Sequence, residues 1–127
     1  MERTTIETSR APSAIGPYSQ AVAAGPFVFV SGQLGIDPQT GSLISPDFET
    51  QARQVLENLK NILESAGCGM KDVVSVDVYL SNLSNFYKFN EIYQEYLQDN
   101  RPARAVVEVS GLPKYASIEI KCVACRG

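Results

Sequence analysis

Histidine is absent from all 127 residues. Its absence removes Ser-His-Asp and Cys-His nucleophilic catalysis and the commonest metal ligand. The side chains left for chemistry are Arg, Lys, Asp, Glu, Tyr, Ser and Cys. Clustered Lys and Arg are missing too, and the net charge is -3 with a pI near 4.9. Nucleic-acid backbones are gripped by basic clusters, so no nucleic-acid partner is expected. No apolar run approaches the ~18 residues of a membrane span, so no membrane partner is expected either. The stretch MERTTIETSRAPSAIG lacks the apolar core of a signal peptide, and its glutamates argue against a transit peptide. The expected location is cytoplasmic.

Cysteine is scarce and odd in number: Cys68, Cys122 and Cys125. An odd set argues against a disulfide framework. Cys122-Val-Ala-Cys125 has CxxC spacing, but it lies in SIEIKCVAC, an alternating strand pattern. At period two, residues i and i+3 face opposite sides of a sheet, so the pair is read as ordinary core or half-buried thiols. No metal set is expected.

What is present is the patterning of one α+β domain spanning residues 1–127. Hydrophobic residues make up 44 %, enough for a sizeable core at this length. A short strand is expected at Thr4–Glu7. A hairpin follows in YSQAVAAGPFVFVSGQ, turning at Gly25-Pro26, with Phe27–Val30 strongly apolar. GIDPQTGSL is a turn-rich loop. From Asp47, apolar residues recur at helical spacing through Ala66, with Asp47 as cap and Gly67 as stop. Val74, Val76, Val78 and Leu80 alternate with polar residues and predict a half-buried strand. A second helix starts near Ser84, with Phe86, Phe89, Tyr93, Tyr96 and Leu97 as its packing stripe. The last strands are Arg104–Val109 and Ser117–Ala124. Together these give a mixed six-stranded sheet with two helices on one face. The other face keeps apolar residues with no layer to cover them, which predicts self-association.

Four features carry candidate chemistry. Arg104 lies where the Val106–Val107–Val109 strand begins, and a buried guanidinium needs an anion. That anion is either a protein carboxylate or the carboxylate of a ligand. Glu119 alternates with Ile118 and Ile120, so it is either a strand glutamate paired with Lys121 or solvated, or a carboxylate near a pocket that orients water. Tyr18 follows the stiff Gly16-Pro17 pair and is either a fixed hydrogen-bond donor or a plain loop aromatic. Ser31-Gly32 sits at a strand end, where a glycine either admits a ligand to the backbone or merely makes a bend. Spacing alone leaves each choice open.

The segments APSAIGPYSQAV, VSGQLGIDPQTG, AGCGMKDVV, FNEIYQEYL and RPARAVVEVSGLPKYASIEI resemble the RidA (YjgF) family of reactive-intermediate deaminases. The likeness runs from about Ala11 to Val123, and its most specific part is Pro102-Ala103-Arg104 with Leu112 and Ile118-Glu119-Ile120 at matching spacing. The resemblance implies a chorismate-mutase-like fold and a homotrimer whose sheets close into a central barrel, with ligand clefts between subunits. It implies that Arg104 holds a substrate carboxylate and that Tyr18 and Glu119 position substrate and water. Backbone groups at Ser31, Gly32 and Val106 would contact the ligand, with Asn90 near the cleft. The implied activity is that of a 2-iminobutanoate/2-iminopropanoate deaminase. Such an enzyme is a hydrolase of C=N bonds, converting enamine and imine products of pyridoxal-phosphate enzymes to 2-keto acids and ammonia with no cofactor. Carboxylate binding alone needs Arg104 as much as catalysis does, so the motif leaves open a non-enzymatic metabolite-binding or chaperone-like member, while Glu119 and Tyr18 favour an enzyme. Ribonuclease activity, also attached to relatives, fits poorly with an acidic chain lacking histidine. Three positions depart from the pattern: Arg101 where an apolar or aromatic residue is usual, Val106 where several members have cysteine, and Tyr115 where a small residue is common.

Overall fold

In the computed structural model, which describes residues 2–127, all strands join one sheet. They are β1 (Arg3–Ile6), β2 (Ala21–Ala24), β3 (Phe27–Leu34), β4 (Val73–Leu80), β5 (Ala103–Glu108) and β6 (Ile118–Cys125), and the helices are α1 (Phe48–Ser65) and α2 (Phe86–Leu97). The sheet order is β1-β2-β3-β6-β4-β5. Only β4 and β5 pair in parallel.

That topology explains why both helices share a face. β3 and β4 both run antiparallel to β6, so they are parallel to each other, and α1 is the crossover between them. α2 is the crossover from β4 to β5. Crossovers between parallel strands are right-handed in nearly all proteins. Both steps move along the sheet in the same direction, so both helices fall on the same side. The chain is therefore α+β, with a mixed six-stranded sheet and one helical layer.

Local sequence sets the element ends. Ala24 pairs with Phe27, leaving the two-residue Gly25-Pro26 loop, and Gly25 takes the left-handed φ of 58° such a turn needs. The Asp47 carboxylate accepts from Thr50 N–H at 2.9 Å, satisfying one open donor at the start of α1. Gly67, at φ 82°, ends that helix as expected. Between helices and sheet lies the core: Val55, Leu56, Leu59, Ile62 and Leu63 of α1 meet Val28, Val76, Val78, Leu80, Ile118 and Ile120. α2 contributes Phe89, Ile92 and Leu97; Ile92 was not in the expected stripe, while Phe86, Tyr93 and Tyr96 are only half-buried.

Two expectations need correction. In β4 the alternation fails at its start: Val73 is the buried valine and Val74 is exposed, because the pairing with β6 slips between Val73 and Ser75. An inserted residue reverses the faces of everything before it. Second, Arg104 is not a buried guanidinium: it is exposed near the start of β5. That strand is the outermost of the sheet, and most of its residues are exposed.

The face away from the helices is open. Phe27, Phe29 and Val107 are 40 %, 47 % and 44 % exposed there. Among the described residues the cysteines are all free. Cys122 lies in the core, where burial pushes its thiol up to about 12, while Cys125 is half-buried beside Phe27. Among the described residues no helix is long and apolar enough to cross a membrane.

Candidate functional site

Arg104 lies beside Val76 in the β4–β5 ladder, so its side chain leaves the sheet on the helical side, at the sheet's edge. α2 meets it there. Phe86, Phe89, Asn90 and Tyr93 follow one another at steps that share a helix face. The Arg104 guanidinium carbon stands 4.9 Å from the Tyr93 ring centre, 5.7 Å from that of Phe89 and 5.9 Å from that of Phe86. Arg104 Nη1 donates to Asn90 Oδ1 at 2.9 Å. Rings and amide hold the cation by its quadrupole and dipole interactions without neutralising it. Among the described residues no carboxylate lies within ion-pair distance of Arg104. Val106 lies on the same side, beside Val78, and is half-buried. A cavity of about 350 Å³ opens against Arg104, Asn90 and Tyr93 and continues to Arg101.

Glu119 occupies the other face. Its neighbours Ile118 and Ile120 are fully buried beneath the helices, so Glu119 projects from the open side, between Leu34 of β3 and Tyr79 of β4. Gly32 leaves this carboxylate its place: a Cβ there would stand 2.1 Å from Glu119 Oε2, so the side-chain end would have to move. Partial burial raises the Glu119 pKa above the ordinary glutamate range, against the opposing pull of Lys121. A Glu119–Lys121 ion pair, one of the alternatives the spacing left open, is not among the contacts of the described residues.

The loop carrying Tyr18 is tied to the end of β3. Ser31 Oγ donates to the Ser19 carbonyl at 2.6 Å, and Ser31 N–H donates to the Gln20 carbonyl at 2.9 Å. Ser31 therefore spends its side chain fastening the loop. Gln20, which sequence reasoning missed, is buried. It accepts from Thr8 N–H at 2.7 Å and donates to the Pro12 carbonyl at 2.7 Å. An isolated glutamine in a loop gives no signal of such a role. Tyr18, Gly32 and Glu119 then face one cavity of about 660 Å³, with Ile15, Leu34 and Lys114 also on its walls. Lys114 and Tyr115 next to it both adopt left-handed φ, 59° and 57°, strain that a bulky residue rarely carries.

The seven candidate residues thus divide. Arg104, Asn90 and Val106 gather on the helical side at the β5 edge. Tyr18, Gly32 and Glu119 gather on the open side, with Ser31 fastening their loop. The two cavities share no lining residue. Among the described residues no cluster of acidic or thiol side chains could hold a metal.

Residues 8–126 match the family model described as endoribonuclease L-PSP. The chain is 52 % identical to a RutC family protein of Pyrococcus horikoshii, over 95 % of this chain and 96 % of the relative. It is 46 % identical to the human protein named 2-iminobutanoate/2-iminopropanoate deaminase, over 98 % of this chain and 91 % of the relative. Among solved structures, E. coli TdcF with bound serine superposes with a TM-score of 0.93 at 42 % identity, covering 98 % of this chain and 99 % of the other.

Proposed function

The chain belongs to the endoribonuclease L-PSP family, the RidA (YjgF) family of its motifs, and from that premise we propose that it hydrolyses small 2-imino acids to 2-keto acids and ammonia. The observation that carries the reading is the pair of half-sites: an unneutralised arginine fork on one, and on the other a half-buried carboxylate packed against a glycine. Neither half alone does the chemistry. A ring of identical copies would set the β5 edge of one against the open face of the next, as a closed heterologous interface does. The exposed Phe27, Phe29 and Val107 favour such an association. We therefore read the protein as a homotrimer with sites between subunits.

In that site Arg104 binds the substrate carboxylate with two parallel N–H donors, and Asn90 with the α2 rings fixes the plane of the fork. Holding the imine carbon and a water in register removes much of the entropic barrier. Glu119 takes a proton from the water as its oxygen bonds to the imine carbon. That proton is delivered to the imine nitrogen, giving a carbinolamine; Glu119 then takes the carbinol hydroxyl proton and passes it to the amine, and as the C=O bond forms the C–N bond breaks, so that ammonia and the 2-keto acid leave. Tyr18 hydrogen-bonds the substrate from its anchored loop. The backbone at Gly32 and Val106 supplies the remaining contacts. No group outside the chain is needed, because water is the only co-reactant. The human relative's name and the serine bound to TdcF support a small carboxylate-bearing substrate. The acidic balance and absence of histidine weigh against the RNA cleavage implied by the family's name.

The test is a coupled assay. A pyridoxal-phosphate dehydratase acting on serine or threonine supplies the enamine, and 2-keto acid release is followed with and without the protein. Acceleration in proportion to added protein, lost in Glu119→Gln, is expected. Release at the spontaneous rate whatever the protein concentration would refute the reading.

A further inference from the structure

The cavity at the β5 edge contains more positive charge than one carboxylate requires. Arg101 and Arg104 both line it, with the amides of Asn90, Gln94 and Asn100 and the phenol of Tyr93, and no acidic side chain lines it. Neither arginine has a carboxylate within ion-pair distance among the described residues. Arg101 is exposed, and its Nη1 donates to the Gln98 carbonyl and to the Asn100 carbonyl at 3.1 Å. Those contacts anchor the group at the end of α2 and leave its Nε and Nη2 donors without a protein acceptor among the described residues. The Nε and Nη2 donors of Arg104 are equally free, since only its Nη1 is engaged, by Asn90. Tyr93 lines the same cavity, with the Arg104 guanidinium carbon 4.9 Å from its ring centre. Burial raises its pKa, while Arg104 and Arg101 both pull it down, so both cations act on the same phenol. Its hydroxyl is buried with no hydrogen-bond partner.

Two guanidiniums sharing about 350 Å³ repel each other unless anions lie between them, and that repulsion is strongest where water is displaced. A monocarboxylate neutralises one of them. We propose that Arg101 completes a site for a second anionic group, so that this protein prefers dicarboxylic 2-imino acids, with Arg104 on the α-carboxylate and Arg101 on the side-chain carboxylate. The inference rests on the carboxylate reading of Arg104 and adds a substrate class to it. Arg101 and Arg104 line one cavity, so a single ligand with a carboxylate at each end of a flexible chain can engage both.

The experiment measures product binding, since a 2-keto acid keeps both carboxylates without the instability of an imine. Isothermal titration compares 2-oxoglutarate with 2-oxobutanoate on the wild-type protein and on Arg101→Ala. A second charge-assisted contact predicts that the wild type binds 2-oxoglutarate about tenfold or more tightly than 2-oxobutanoate. In Arg101→Ala that ratio falls to near one, through weaker 2-oxoglutarate binding, and Arg101→Lys recovers part of it. A wild-type ratio at or below one overturns the proposal. So does a variant in which both ligands weaken equally, since Arg101 then only supports the fold. A wild type that binds neither ligand removes the carboxylate reading of Arg104 itself, a failure distinct from the other two.

Discussion

Mixing two inactive variants tests the intersubunit reading more sharply than any single substitution. Arg104→Ala removes the carboxylate fork and Glu119→Gln removes the proton acceptor. Each alone is expected to cost on the order of a hundredfold in turnover, given ~1.5–3 kcal/mol per charged hydrogen bond and ~1.4 kcal/mol per factor of ten. Arg104 and Glu119 leave opposite faces of the sheet and line cavities with no residue in common. If each site takes Arg104 from one copy and Glu119 from the next, the two halves are drawn independently in a random assembly. An equimolar mixture then leaves about a quarter of its sites intact in a closed ring of identical interfaces. The mixture should run at about a quarter of the wild-type rate, some twenty-fold or more above either parent. If each chain carries a whole site, the mixture runs at the mean of its parents, near one-hundredth of wild type. The assay mixes isotopically distinguishable variants in denaturant, refolds them together and follows 2-keto acid release. Native mass spectrometry counts the mixed species. Mixed assemblies with activity no higher than the parental mean would refute the division of the site between copies.

The remaining predictions concern single positions. Arg104→Lys should cost about a hundredfold in turnover, since an ammonium cannot reproduce the planar fork. Its melting temperature should stay near wild type because Arg104 has no internal carboxylate to lose; a large melting drop with normal activity per folded molecule would mark Arg104 as structural. Gly32→Ala forces Glu119 Oε2 to move from 2.1 Å off the new methyl; the carboxylate is a side-chain end and can yield, so activity should fall about tenfold with little loss of stability. Because burial raises the Glu119 pKa, the acid limb of turnover should sit above the ordinary glutamate range, present at higher pH and lost as pH falls through that raised value. The stability sign is opposite: a raised carboxyl pKa destabilises the fold at pH above it, so Glu119→Gln should melt at the same or a higher temperature at pH 7. Tyr115, wholly exposed at φ 57°, gains nothing visible from its strained backbone, and Tyr115→Gly should stabilise by ~0.5–1 kcal/mol in urea titration.

Periodicity made the layers of this fold legible, because burial on one side writes itself into the sequence at period two or 3.6. Ile118-Glu119-Ile120 gave the face of Glu119 correctly, and Asp47 and Gly67 gave the ends of α1. The failures are where the backbone slips a register without a residue that announces it. Nothing in DVVSVDV distinguishes Val73 from Val74, and only the pairing with β6 decides which is buried. The site was legible as residue types but not as a place. Alternation says that Arg104 and Glu119 belong to strands, and sheet order then determines whether they meet. β6 enters between β3 and β4, which leaves β5 at the edge, and no local pattern encodes that insertion. The order has a chemical result. A carboxylate raised in pKa by burial and an arginine left without a counterion would pair in one another's company, and the base would then be held ionised with a depressed pKa. Keeping them on opposite faces preserves both the fork's free donors and the carboxylate's basicity within one copy, so that in the proposed assembly the two halves would meet only across a second copy and a substrate.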